Sequence, residues 1–157
     1  MLGVIMAMLS LNSCTPDLET TAGKIIGDWE LTHITEDGWW WYYNEDGTQT
    51  DTYTYSDSYD VTRENEDWVV FRITSLAMSV IDTGNEEVRF LLNIPFPYSL
   101  KGNKLSSLLL EADHTNVVTV SFEDDDTMIF YLNDTGYMED GNGYENYEQW
   151  ATYRRVK

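Results

Sequence analysis

The residues best suited to bind a ligand form an aromatic run in the first third of the chain. Five rings follow one another at Trp39, Trp40, Trp41, Tyr42 and Tyr43. Successive side chains of an extended strand point to opposite faces, so only one set of these rings can enter a core. The other set must meet water, cover an opening or stack on a partner, and rings with polar edges suit sugar faces and protein anchors.

Two tyrosines and one histidine extend this candidate site. Tyr53 and Tyr55 share one face of the next extended segment, and His33 lines a cavity if it faces inward with Trp29. A packed, hydrogen-bonded His33 is the alternative. The acidic residues around the rings favour a neutral or cationic partner; they are Glu36, Asp37, Glu45 and Asp46.

Structural packing is the alternative interpretation of the aromatic run. Tyr144, Tyr147 and Trp150, near the end of the chain, could cover the exposed face of these rings. In that case the aromatic run contributes buried area and leaves no platform for a ligand.

No arrangement typical of a catalytic or metal site occurs in the chain. The second histidine, His114, lies in a turn-like segment, and neither Gly-x-Ser-x-Gly nor His-Glu-x-x-His is present. The acidic turns at residues 123–126 and 134–142 lack the spacing of a calcium-binding loop. We therefore expect a protein that is not an enzyme and that holds no metal or cofactor.

Charge and composition exclude further classes. The 157 residues include 9 Lys and Arg against 28 Asp and Glu, a formal net charge of −19. Such a surface repels phosphate backbones, so we expect no nucleic-acid partner. The length predicts one domain, and an aromatic content of 14% predicts a packed core.

The first 24 residues are typical of an anchor and a tether. Residues 2–11 form an uncharged apolar run, too short to span a bilayer but suited to a signal peptide. The segment Leu11-Asn12-Ser13-Cys14 resembles the lipobox of bacterial lipoproteins. The resemblance implies a signal peptide over residues 1–13, lipidation of Cys14, and a tether that ends at residue 24. It places the protein at the outer membrane, on the periplasmic or the surface face; the alternative is a buried N-terminal helix with an ordinary cysteine.

The remainder, residues 25–157, is predicted to be all-β. Apolar residues recur at every second position through residues 27–33, 68–74, 88–94, 118–122, 128–132 and 147–156. Turn residues such as Asp37-Gly38, Asp46-Gly47 and Gly102-Asn103 separate these stretches. Eight to ten short antiparallel strands at this spacing indicate a closed barrel or a sandwich.

The start of the first strand resembles that of the lipocalin and calycin families. Gly27 and Trp29 match their Gly-x-Trp motif, and the small lipocalin-like domains of Bacteroidetes lipoproteins are the most similar group. The resemblance implies an up-and-down β-barrel of about eight strands. It also implies an arginine of the last strand that packs across Trp29 and closes the barrel. Arg154 is expected to take this part, with Arg155 as the fallback.

These observations favour a membrane-anchored, non-catalytic binding protein. We expect a small hydrophobic or carbohydrate ligand, either in a barrel cavity beside Trp29 and His33 or on the aromatic run. The alternative is an accessory protein of an envelope complex, with a filled barrel and an aromatic docking surface.

Overall fold

The computed structural model describes residues 20–110, 115–138 and 141–157. Over these ranges the chain forms one helical turn, two short 3₁₀ helices and nine strands. In chain order they are α1 (Thr21–Lys24), β1 (Gly27–Tyr42), β2 (Tyr53–Asp60), β3 (Val69–Ile73), β4 (Ala77–Thr83), a 3₁₀ helix (Arg89–Leu91), β5 (Phe96–Lys101), β6 (Lys104–Ser107), a 3₁₀ helix (Leu108–Leu110), β7 (Val117–Asp124), β8 (Thr127–Tyr137) and β9 (Gly143–Arg155). The predicted signal peptide, Cys14 and His114 lie outside the described residues.

Eight of these strands close an antiparallel barrel, which confirms the predicted fold class. Around the barrel the order is β1-β3-β4-β5-β6-β7-β8-β9, and β9 pairs again with β1. The ninth strand, β2, lies outside this ring. It pairs with β1 from His33 to Trp40, whereas β3 pairs with β1 from Gly27 to Glu30.

The sheet extends beyond the closed barrel, where three barrel strands and β2 form a four-stranded part of it. β1 is 16 residues long and β9 is 13, whereas β3 has only five. β7 pairs with β8 no further than Tyr131. We call the remaining sheet the four-stranded extension; it comprises β2, residues 33–42 of β1, residues 132–137 of β8 and residues 143–152 of β9.

Alternation along the strands fills the base of the barrel with apolar side chains. Met78, Leu105 and Met128 are fully enclosed there, and Val120 and Ile73 nearly so. Their neighbours along each strand point outward, as expected for a sheet with one face in the core. The core therefore follows the two-residue period of the sequence.

A β-bulge in β1 changes which residues of that strand face the barrel. The register with β9 shifts between Leu31 and His33, which makes Thr32 the extra residue. Trp29 and Leu31 are buried before the bulge, and Ile34 is buried after it. The prediction that His33 faces inward with Trp29 is therefore wrong, because the bulge reverses the alternation between them.

A tryptophan and an arginine close the barrel next to α1. Trp29 is fully buried, and its indole Nε1 donates a hydrogen bond of 2.8 Å to the carbonyl oxygen of Ile25. The guanidinium carbon of Arg155 lies 4.2 Å from the centre of the Trp29 ring. The same guanidinium donates to the carbonyl oxygens of Ile26 at 2.9 Å and Lys24 at 2.8 Å, so it also holds the end of α1.

The prediction that Arg154 is the partner of Trp29 is wrong. Trp29 and Arg155 are direct partners on the ladder between β1 and β9, so they share a face of the sheet. The buried Tyr153 shows that this is the inward face. Arg154 points outward, where it donates to Thr127 Oγ1 at 2.6 Å.

Gly27 is required by the position of that arginine. Its φ of +150° is rare for residues with a side chain, and a Cβ atom there would collide with Nη1 of Arg155. The Gly-x-Trp spacing therefore has a local cause: the glycine leaves room for the guanidinium that lies on the tryptophan.

The strand predicted at residues 88–94 is absent. A 3₁₀ helix, Arg89–Leu91, replaces it, and Phe90 is 74% exposed. Asn93 adopts a φ of +62°, which turns the chain and breaks the extended conformation. The barrel instead contains β4, a strand that the alternation pattern did not predict.

We expect Arg155→Ala to lower the free energy of unfolding by about 2–4 kcal/mol. The substitution removes a cation–π contact and leaves carbonyl groups at the end of α1 without their donors. Arg154→Ala is the matched control, and its effect should stay below about 1 kcal/mol because it breaks outward-facing contacts. Urea unfolding followed by tryptophan fluorescence measures both, and equal losses would contradict this account of closure.

Candidate ligand-binding site

The barrel contains an apolar cavity above its filled base. This cavity has a volume of about 210 Å³, and we call it the chamber. One wall is the 3₁₀ helix Leu108–Leu110, which covers the end of the barrel where β6 ends. The chamber is lined by Phe71, Leu109, Leu110, Val118, Phe130, Leu132, Gln149, Ala151 and Tyr153.

A second hollow of about 230 Å³ lies beside the chamber. Phe71 and Leu109 belong to the walls of both, so these two side chains form the partition. The lining of the second hollow also includes Val88 of the loop after β4 and Glu66 of the loop after β2.

One tyrosine hydroxyl of the chamber lining makes no hydrogen bond with the described residues. Tyr153 is only 5% exposed, and its ring packs against Phe130 and Phe71 at centroid distances of 4.9 and 5.8 Å. Its hydroxyl makes no hydrogen bond with the residues that the structure describes, and its oxygen is not sealed off from solvent-sized space. Burial alone raises the pKa of this phenol well above its usual range, so the group stays neutral and able to donate.

Neither residue named for a barrel cavity lines the chamber. Trp29 packs at the filled base, where its ring lies 6.0 Å from that of Phe122. His33 lies outside, with Nδ1 2.8 Å from Asp60 and Nε2 3.0 Å from the Ser58 hydroxyl. The cavity therefore does not lie beside Trp29 and His33, as predicted. It lies at the opposite end of the barrel, which the 3₁₀ helix Leu108–Leu110 covers.

The five rings of the aromatic run divide between the two faces of the four-stranded extension. Trp40 lies on the face that continues the barrel interior, where its ring is 5.8 Å from that of Tyr53 and 5.5 Å from that of Tyr55. Tyr42 shares this face near the edge and is exposed. This is the side of the sheet that can hold a ligand.

The other rings pack on the outer face. Trp39 and Trp41 both stack on Tyr144 with centroids 6.0 Å apart. Trp41 also meets the exposed Tyr43 edge-on at 5.0 Å. On this face the rings pack against the end of the chain, as the alternative interpretation predicts. Tyr144 is the residue that covers both tryptophans.

A cleft of about 300 Å³ lies on the four-stranded extension, and we call it the cleft. The prediction of a turn at Asp37-Gly38 is wrong, because β1 continues through both residues. Gly38 is buried, and a Cβ atom there would collide with the Tyr55 ring. The cleft is lined by Trp39, Trp40, Tyr55, Asp134, Glu145, Asn146 and Tyr147.

A hydrogen-bonded trio joins the cleft to the chamber. Glu36 accepts a bond of 2.6 Å from the Tyr147 hydroxyl and one of 2.8 Å from Nε2 of Gln149. Tyr147 lines the cleft and Gln149 lines the chamber. Burial and the bond to Glu36 raise the pKa of Tyr147 far above its usual value, so the phenol remains a donor.

The neighbouring tyrosines of this face are also held neutral. Burial, followed by the charge of Asp67, raises the pKa of Tyr59 to about 12. The pKa of Tyr55 is also raised, first by burial and then by the charges of Glu36 and Glu145. The face is therefore a region of negative potential lined by neutral phenols.

The described parts of the chain contain neither a group of metal ligands nor a helix that could span a bilayer. Within these ranges, no three His, Cys, Asp or Glu side chains are grouped as metal ligands. In the same ranges no helix has the length and apolar character needed to cross a bilayer.

Comparison with protein-family models, with curated proteins and with solved structures finds no match for this chain. The lipocalin resemblance therefore depends on Gly27, Trp29 and the barrel itself, and membership of that family stays a prediction.

We expect Tyr147→Phe to lower the free energy of unfolding by about 1–2 kcal/mol, because Glu36 loses a charge-assisted hydrogen bond. Tyr59→Phe is the matched control on the same face. Its hydroxyl donates over 3.3 Å to the exposed Asp67, so its loss should cost less than about 0.5 kcal/mol. In a Glu36→Gln background the effect of Tyr147→Phe should shrink, and an unchanged effect in the double-mutant cycle would refute the coupling.

Proposed function

We propose that this protein is a non-catalytic binding protein whose barrel chamber takes a small, neutral, hydrophobic ligand. The observation that carries the proposal is an apolar chamber whose lining includes Tyr153, a residue that is 5% exposed and whose hydroxyl makes no hydrogen bond with the described residues. The hydroxyl of Tyr153 is therefore available to donate a hydrogen bond to an acceptor atom of a ligand in the chamber.

The walls of the chamber define the chemistry of the ligand. Eight of the nine lining side chains are apolar or aromatic, and Gln149 is the exception. No lysine or arginine is among them, so a carboxylate or phosphate would enter without a counter-charge. A neutral molecule with one hydrogen-bond acceptor matches this lining.

The two hollows set a scale for the ligand size. Pockets for small molecules usually measure about 300–1,000 Å³. The chamber alone, at about 210 Å³, lies below that range and suits only a small ligand. Displacement of Leu109, which is shared with the neighbouring hollow of about 230 Å³, would admit a longer one.

The proposed place of action is the bacterial outer membrane, on the periplasmic or the surface face. The support for it is the lipobox-like segment Leu11-Asn12-Ser13-Cys14. Several acyl chains on Cys14, at about 0.8 kcal/mol per buried CH₂ group, would make a stable anchor. The domain itself is strongly acidic and would be repelled by anionic lipid, so the acyl chains must hold it there.

An accessory role in an envelope complex is the second candidate. It is supported by the exposed rings around the outer face of the four-stranded extension, where Tyr43 and Tyr137 are 44% and 62% exposed. Tyrosine is enriched at the energetic centres of protein interfaces. In this case the chamber would be an unoccupied packing defect.

Native mass spectrometry of the full chain, extracted from its host in mild detergent, tests the ligand directly. We expect an added mass that is lost on denaturation and that corresponds to a neutral hydrophobic molecule. A co-purified sugar would instead favour the carbohydrate alternative. A bare protein that also fails to bind the neutral fluorescent probe N-phenyl-1-naphthylamine would overturn the proposal.

Tyr153→Phe should weaken binding of the co-purified neutral hydrophobic molecule by about five- to tenfold, because one hydrogen bond inside the chamber is lost. Tyr98→Phe is the matched control: its hydroxyl donates to the Thr74 carbonyl at 2.8 Å, away from the chamber. Equal affinities for the Tyr153→Phe variant and the parent chain would remove the hydroxyl from the binding site.

We expect Cys14→Ser to release the protein from the membrane fraction, because the residue that would carry the acyl chains is lost. Membrane fractionation with and without globomycin, followed by intact-mass analysis, measures the change. A parent chain without added acyl mass would contradict the anchor and leave the barrel proposal untouched.

A further inference from the structure

We propose that the cleft on the four-stranded extension binds a small organic cation, an ammonium or quaternary ammonium group held between aromatic rings and carboxylates. The cleft shares none of its lining residues with the chamber. The inference therefore goes beyond the proposed function and can stand or fail independently of it.

The aromatic walls supply the first part of the argument. The rings of Trp40 and Tyr55 lie 5.5 Å apart and are inclined at 50°, so they form a corner rather than a closed stack. Tyr147 lines the same cleft. A cation within about 6 Å of such ring faces is attracted by their quadrupoles, and tryptophan gives the strongest attraction.

The backbone of β1 gives this corner its depth. Gly38 lies opposite Tyr55 on β2 and opposite Tyr147 on β9. With no side chain at Gly38, the Tyr55 ring rests directly on the sheet. Any larger residue would occupy the space that the two tyrosines now border.

Carboxylates supply the second part. Asp134, which is 6% exposed, and Glu145 line the cleft, and Glu36 accepts the Tyr147 hydroxyl at its floor. Glu145 accepts no hydrogen bond from the described residues, so its charge is available to a ligand. These groups give the aromatic corner a negative potential, consistent with the raised pKa of Tyr55.

The charge of the whole sheet supports the same ligand class. The strand segments of the four-stranded extension contain no lysine or arginine. They contain seven carboxylates: Glu36, Asp37, Asp57, Asp60, Asp134, Glu145 and Glu148. The only cation-forming side chain, His33, is on the opposite face and bonded to Asp60. A bound cation would therefore reduce the net negative charge of these strand segments.

Other ligand classes fit less well. A purely apolar molecule would strip water from the Glu145 carboxylate without any return. An anion would be repelled, because the only charged side chains in the lining are the carboxylates of Asp134 and Glu145. A metal ion would need several convergent oxygen ligands, and no such group occurs among the described residues.

Titration calorimetry on the full chain at fixed ionic strength tests the proposal with a matched pair of probes. Choline carries a quaternary ammonium group, and 3,3-dimethylbutan-1-ol is its neutral isostere. We expect choline to bind with quenching of tryptophan fluorescence, and the alcohol to bind at least about tenfold more weakly, as loss of a cation–π contact implies. Equal binding of the two, or no binding of choline at millimolar concentration, would overturn the proposal.

Three variants locate the site. Glu145→Gln should weaken choline binding by about three- to fivefold, and Trp40→Leu by about tenfold. Asp37→Asn is the charge-matched control, because Asp37 lies on the same strand as Trp40 but on the outer face, and it should change the affinity less than about twofold. An equal loss for Glu145→Gln and Asp37→Asn would indicate diffuse attraction to an acidic surface and refute a built site. Glu145→Gln keeps the test decisive if the Trp40 variant does not fold.

Discussion

The ladder between β1 and β9 is the constraint on which the rest of the structure depends. It runs from Trp29 and Arg155 at the closed end to Tyr42 and Gly143 at the far end of the sheet. At one end it brings the guanidinium onto the indole and closes the barrel. At the other it carries both the floor and one wall of the cleft. The bulge at Thr32 lies between the closed end and the cleft. Because it adds one residue to β1, it reverses which positions of that strand face inward beyond it.

The fold separates an apolar compartment from an acidic one over a short distance. Apart from Gln149, the chamber is lined by aliphatic and aromatic side chains with a single hydroxyl, whereas the adjoining sheet carries carboxylates. Gln149 lies at the boundary and donates its amide hydrogen to Glu36. A neutral amide at this position keeps the carboxylate out of the chamber, where a charge without a partner would be costly. The two compartments therefore suit different ligands.

Several local features of the site were predictable, and several were not. Alternation along the aromatic run correctly implied that its rings divide between two faces, since this follows from strand geometry alone. It could not say that Trp40 would face the cleft, because that depends on the extra residue at Thr32. Tyr153 was not identified as a site residue, since an unpartnered hydroxyl is visible only once its surroundings are known. Likewise, the register of β9 against β1 decides that Arg155, and not Arg154, lies on Trp29.

The sequence by itself determined the all-β class, the approximate number of strands and the acidic character, because alternation, turn residues and charge are local or additive properties. The tertiary structure decided what those strands enclose. It placed Gly38 inside a strand instead of a turn, replaced the strand expected at residues 88–94 by a 3₁₀ turn, and moved the cavity away from Trp29. Each of these outcomes depends on which strands become neighbours and in which register. A two-residue period carries no information on register, since a shift by one residue reverses every side chain.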